Sequence, residues 1–80
     1  LVRQIKLFKL IKTALKTSDK ITEKSSSNNL EEWDSLGHLS ILTALDKKTS
    51  GKTSKIKSLA DLDSVSGIIK VLKTKKIIKD

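Results

Sequence analysis

Ser35 is the residue whose type and place in this chain could carry chemistry. It lies within Glu32-Trp33-Asp34-Ser35-Leu36-Gly37-His38-Leu39-Ser40-Ile41-Leu42, where a polar stretch gives way to an apolar-periodic run. First-turn N–H groups of a helix lack intrahelical partners, and a short oxygen side chain at its start accepts bonds from them. Asp34 or Ser35 is therefore expected to cap a helix that begins here. The helix dipole and the free amides favour an anion at that position, so a phosphate ester on Ser35 would be well placed. His38, the sole histidine, follows on the neighbouring helical face. A serine–histidine nucleophile would also need an orienting carboxylate and an oxyanion hole. Asp34 is close in sequence, but a triad packed into one helical turn lacks the geometry and a pocket. His38 thus reads as an exposed surface histidine, and no catalytic residue is assigned.

Other chemistry is excluded on similar grounds. Gly51-Lys52-Thr53 resembles the end of a phosphate-binding loop, but the earlier glycine of that pattern falls on Asp46 and no strand precedes it. A single histidine and no cysteine leave neither a metal site nor a disulfide framework. The lack of cysteine fits a reducing compartment, and a cytoplasmic location is expected. No apolar run approaches the roughly 20 residues of a membrane span. With one Phe and one Trp in the whole chain, stacking on single-stranded nucleic acid is not expected. A helix-turn-helix is not expected either, because the first two helices are separated by a long connection.

The elements that must position Ser35 follow from periodicity. The chain has 80 residues, suited to a single domain over 1–80 near the lower limit for a self-supporting core. Hydrophobic residues make up 36%, so the core must be mostly Leu, Ile, Val and Ala. Val2 to Leu15 carries apolar residues at spacings of three and four, with lysines largely elsewhere, and predicts an amphipathic first helix. Thr17 to Trp33 contains Ser25-Ser26-Ser27-Asn28-Asn29 and reads as a long loop, with Ile21, Leu30 and Trp33 as anchors that lay it across the helices. A second helix is predicted from Ser35 to about Lys48. It carries too many apolar residues for one narrow stripe, so Leu36 and Leu39 are expected to stay partly exposed. Gly37 in its first turn costs roughly 1 kcal/mol against alanine, which hints at another use for that position. Gly51 is expected to supply the left-handed exit. A short helical turn over Ser58-Leu59-Ala60-Asp61-Leu62 precedes a last helix, capped by Asp63 or Ser64 and bearing Val65, Ile68, Ile69 and Leu72, with Ile77 and Ile78 extending or fraying it. The expected fold class is all-α, a small four-helix bundle of three longer helices and one short one.

In this context Trp33-Asp34-Ser35-Leu36-Gly37-His38-Leu39, followed by Ile41-Leu42 and Ala44-Leu45, resembles the acyl carrier protein family, the phosphopantetheine-binding fold. Ile56, Ser58 to Leu62 and Val65 to Leu72 are similar to that family's last third, so with the first helix the likeness spans nearly the whole chain. The resemblance implies a non-catalytic carrier. Ser35 would receive 4′-phosphopantetheine from coenzyme A through a phosphopantetheinyl transferase, and the arm would hold an acyl or aminoacyl group as a thioester. Asp34 would help position magnesium and the coenzyme in the transferase complex. Leu36, Leu39 and Thr43 would face partner enzymes, namely a loading enzyme and a downstream transferase or synthase, and the carrier would act as a monomer. In fatty-acid-synthesis carriers the second helix is typically rich in acidic residues. Here Gly37, Ser40, Lys47 and Lys48 occupy it, with Asp46 its sole acid after Asp34. Because charge complementarity sets encounter and partner choice, a partner built for an acidic helix should bind this one poorly. The Trp33 to Leu39 form looks more like stand-alone carriers of polyketide, nonribosomal-peptide or surface-glycan tailoring pathways.

The formal net charge of +8 comes from 17 Lys+Arg against 9 Asp+Glu. Scattered lysines of this kind serve solubility. The alternative function they support is a basic helical module that binds anionic polymers or membrane surfaces.

Overall fold

A computed structural model describes residues 2–79. Three α-helices form among them: α1 (Gln4–Leu15), α2 (Ser35–Lys48) and α3 (Val65–Thr74). Between α2 and α3 the chain makes two 3-10 segments, Thr53–Lys55 and Lys57–Asp61. The short fourth helix expected over residues 58–62 is therefore a 3-10 turn, which buries one side chain, Leu59, as a peg.

Periodicity explains the packing. On α1, Leu7, Ile11 and Leu15 recur every fourth residue and are buried, while Lys6, Lys9 and Lys12 are exposed. From α2 only Ile41 and Leu45 are buried, and from α3 Val65, Ile68, Ile69 and Leu72. Ile21, Leu30 and Trp33 join the same core, so the long connection, residues 16–34, lies across the helices as its anchors required. The core is aliphatic apart from Trp33; Phe8 packs against it partly buried.

Helix 1 starts two residues later than its apolar pattern implied. Val2–Arg3 (β1) is extended and pairs in parallel with Ile78–Lys79 (β2), Val2 opposite Ile78 and Arg3 opposite Lys79. Ile77 and Ile78 consequently neither extend α3 nor fray; both are buried. The left-handed Lys76 turns the chain out of α3, and pairing with Val2–Arg3 then gives the following residues ladder partners.

All three helices stop in the same way. Lys16 (φ 54°), Ser50 (φ 56°) and Lys76 (φ 58°) adopt the left-handed conformation. In each case the next residue's N–H returns to a carbonyl five positions back: Thr17 to Lys12 at 3.4 Å, Gly51 to Asp46 at 2.8 Å and Ile77 to Leu72 at 2.9 Å. This is the Schellman closure. Gly51 (φ 86°) is thus the second left-handed residue of the α2 exit, and Ser50 is the first.

Candidate functional site

The site is built on the start of α2. Of the two candidate caps, Asp34 takes the role: its Oδ1 accepts the Gly37 N–H at 2.8 Å, and its carbonyl accepts the His38 N–H at 2.8 Å. Ser35 is then the first helical residue. Its side chain is exposed, as is that of Asp34. The N–H groups of Ser35 and Leu36 belong to the first turn and have no carbonyl to pair with inside the helix. α3 repeats the arrangement, with Ser64 Oγ rather than Asp63 accepting the Gly67 N–H at 3.2 Å.

The long connection reaches this start in a fixed path. Ser25 and Ser27 pair with the entry to α3: the Val65 N–H donates to the Ser25 carbonyl at 3.0 Å and the Ser27 N–H to the Asp63 carbonyl at 2.9 Å. Asn29 closes the turn between them, its Oδ1 accepting the Ser26 N–H at 2.9 Å and its Nδ2 donating to the Lys24 carbonyl at 3.0 Å. The polar run that marks a loop in the sequence is thus a set of side-chain-closed turns.

His38 does not stand free on the surface as the sequence implied. It is half-buried, its Nδ1 accepts the Trp33 indole N–H at 3.1 Å, and its Nε2 lies 2.8 Å from the Leu59 carbonyl oxygen. An indole nitrogen only donates, so Nδ1 must be the acceptor and Nε2 must carry the proton towards Leu59. The two rings stack with centroids 6.1 Å apart at 16°. His38 is therefore a strut that ties the end of the long connection, α2 and the 3-10 turn together. Both ring nitrogens are engaged, which leaves neither to serve as a base for Ser35. Sequence reasoning missed this residue's role; the one available signal was a lone histidine a helical turn and a half beyond the lone tryptophan.

Ser35, Asp34, Trp33 and His38 border an open depression of about 450 Å³ whose far wall is Ala60 to Asp63. Asp61 and Asp63 there add carboxylates to that of Asp34, and among the described residues no lysine or arginine borders it. The depression therefore disfavours capture of a free anion. Among the described residues no group of His, Cys, Asp and Glu is arranged to hold a metal ion.

Leu36, Leu39 and Thr43 occupy positions three and four apart along α2. Leu36 is 74% exposed and Leu39 58%, and Thr43 is exposed as well. Asp46 follows three residues beyond Thr43 on the same side, but it is half-buried against Thr53 to Ala60, with its Oδ1 buried and unpaired. Lys47 and Lys48 instead line a groove between α1 and α2 with Lys6 and Lys9. Charge is thus divided, with carboxylates around Ser35 and lysines in the groove.

The cap makes a first prediction. Asp34→Ala should cost about 1 kcal/mol of unfolding free energy, the usual worth of an N-cap, whereas Asp34→Asn should stay within a few tenths of the parent. Urea unfolding followed by circular dichroism checks both, and equal losses would refute the cap. Among the described residues no helix is long and apolar enough to cross a membrane. In comparison with known proteins, no family model matches the chain, and neither a curated protein nor a solved structure does.

Proposed function

We propose that the chain is a carrier of the acyl carrier protein type, in which Ser35 bears a covalent 4′-phosphopantetheine arm that holds an acyl or aminoacyl thioester. The observation that carries this reading is the setting of Ser35: an exposed hydroxyl on the first residue of a capped helix, followed directly by exposed Leu36 and Leu39. An exposed serine needs no pocket to be modified by another enzyme, and a pair of exposed leucines beside it offers that enzyme an apolar foothold. The order helix, long loop, helix, 3-10 segments, helix supports this reading, with the second 3-10 segment standing where the carrier family has a short helix.

The surroundings fit the group. The Ser35 hydroxyl is open to solvent, and the first-turn amides and helix dipole favour a phosphate diester attached there. When bound, the arm supplies the thiol that this cysteine-free chain lacks. The chain's own residues hold the hydroxyl in place: Asp34 fixes the helix start, and Trp33 and His38 brace it against Leu59. The carboxylates beside Ser35 weigh against a free-anion site and in favour of delivery by a separate phosphopantetheinyl transferase. Asp34 keeps one carboxylate oxygen outside the cap, where it can meet magnesium and the coenzyme in that complex. The protein is accordingly a non-enzyme acting in the cytoplasm, as a monomer that meets its loading and downstream enzymes in turn. The half-burial of Asp46, the one acid within α2, leaves little negative charge on its exposed face and favours a specialised pathway over housekeeping fatty-acid synthesis.

The test is intact-mass spectrometry after incubation with coenzyme A, magnesium and a broad-specificity phosphopantetheinyl transferase. The folded chain should gain the mass of one arm, and Ser35→Ala should gain none. Absence of the gain, or its retention in Ser35→Ala, overturns the reading. The Asp34→Asn variant, stable by the cap argument, should load more slowly.

A further inference from the structure

The groove between α1 and α2 has a volume of about 700 Å³ and is walled by both helices. Its floor is apolar: Leu10, Ala14 and Ala44 are half-buried, and Leu39 rises at its edge. Lys6, Lys9, Lys47 and Lys48 border it, and among the described residues no carboxylate does. The approach of Gly37 to Leu15 sets the start of α2 against the end of α1. The helices therefore run antiparallel, and the first half of α1 lies beside the last turn of α2. The four lysines consequently gather towards one end of the trough, while Leu39 lies towards the end nearer Ser35.

We propose that this groove docks an amphipathic helix of a partner protein, with leucine-type residues on the floor and acidic residues over the lysines. Three features select this occupant. The trough lies between two helices, and the apolar floor needs a narrow ridge to fill it, which the stripe of a helix about 10–12 Å across provides. The flat face of a bilayer would rest on the helix crests and leave the half-buried Leu10 and Ala14 untouched. The lysines stand on both walls, so acids on both flanks of one helix meet them together, and such complementarity sets partner choice and encounter rate. Nucleic acid would gain nothing from the apolar floor. The proposal rests on the groove alone and holds whether or not Ser35 is modified.

The experiment is a titration of the full, isotope-labelled chain with two synthetic helical peptides that share one leucine stripe and carry either glutamates or lysines on its flanks. Amide shifts should saturate with the glutamate peptide and map to Ala14, Ser40, Thr43 and Ala44, with the lysine peptide binding at least about tenfold more weakly. The variants K47E/K48E and K6E/K9E, from opposite walls, should each weaken the glutamate peptide by about tenfold, and raised salt should weaken it further. K20E/K24E changes net charge equally but lies outside the groove, and should leave affinity within about twofold. All six lysines are exposed, and the same spectra report whether each variant is folded. Equal binding of the two peptides, shifts outside the groove, or an equal loss in K20E/K24E overturns the proposal. So does a stronger response of the groove residues to vesicles of phosphatidylglycerol and phosphatidylcholine.

Discussion

Trp33→Ala is expected to lower the unfolding free energy by about 3–5 kcal/mol, the range for truncating a large aromatic in a close-packed core. Trp33 is 3% exposed and is the one aromatic side chain in the core cluster. A chain of this length is stabilised by about 4–12 kcal/mol in all, at roughly 0.05–0.15 kcal/mol per residue. The variant should therefore be partly or wholly unfolded at ordinary temperature. The loss exceeds the apolar area removed, because the side chain also supplies the N–H that His38 Nδ1 accepts. Trp33→Phe drops the donor but also trims the indole to a phenyl ring, so it should cost about 2–3 kcal/mol, part of it from the void left behind. The double variant Trp33→Phe/His38→Ala should then be about 1 kcal/mol less destabilised than the sum of the single variants, since both remove the same bond. Circular dichroism in urea is the suitable readout, because fluorescence disappears with the tryptophan. A loss under about 1 kcal/mol for Trp33→Ala would mean that the residue does not brace the site.

How far the sequence foretold this architecture depends on the range of the interactions concerned. The start of α2 was legible because its determinants are adjacent: Asp34 caps Gly37 from three residues away, and such bonds are encoded in local residue types. The long connection was legible through its anchors, since Ile21, Leu30 and Trp33 could be stable only against the helices. The exposure of Leu36 and Leu39 followed from an apolar content too large for one face. The role of His38 was not legible, because its second partner is a carbonyl 21 residues away on a turn whose placement no local pattern fixes. The same holds for the pairing of the chain's two ends, where Val2 meets Ile78 across the whole sequence. Burial of Asp46 depends on the 3-10 segments folding back over it.

Charge shows the same contrast. Seventeen basic residues scattered along the chain read as a means of solubility rather than as a patch. Folding separates them: the open depression beside Ser35 is bordered by Asp34, Asp61 and Asp63, and the α1/α2 groove by four lysines. Asp34 was legible beside Ser35, but Asp61 and Asp63 come from the stretch before α3, and no inspection of α2 alone could have brought them there. A partner that reads both regions would need basic groups near the serine and acidic groups along the groove. That pairing makes the approach of a partner directional, since a reversed docking would oppose like charges.

Gly37→Ala provides the sharpest test of how the site is held, because the expected sign is opposite to the usual one. In an exposed helical turn, replacing glycine by alanine stabilises by about 1 kcal/mol. Here a Cβ would overlap the backbone carbonyl oxygen of Glu32 and stand 2.8 Å from Leu15 Cδ2. The leucine methyl can shift, but the carbonyl belongs to the peptide that leads directly into Trp33 and Asp34. Moving it displaces the buried indole and the cap together. Overpacking of this kind typically costs about 1–3 kcal/mol, and a backbone obstacle places it at the upper end, for a net loss of about 2 kcal/mol. Gly67 occupies the same position after its own cap on α3, and its added Cβ would come nearest to Ser64 Oγ at 3.2 Å and Leu62 Cδ2 at 3.3 Å. Both are side-chain atoms that can give way, so Gly67→Ala should stay within about 0.5 kcal/mol of the parent. Urea midpoints of the two variants decide the matter, and a stabilised Gly37→Ala would remove the close crossing of the connection over α2. If Ser35 carries the arm, Gly37→Ala should also slow its loading under conditions where both variants are folded, because the displaced peptide moves the start of the helix that presents the hydroxyl.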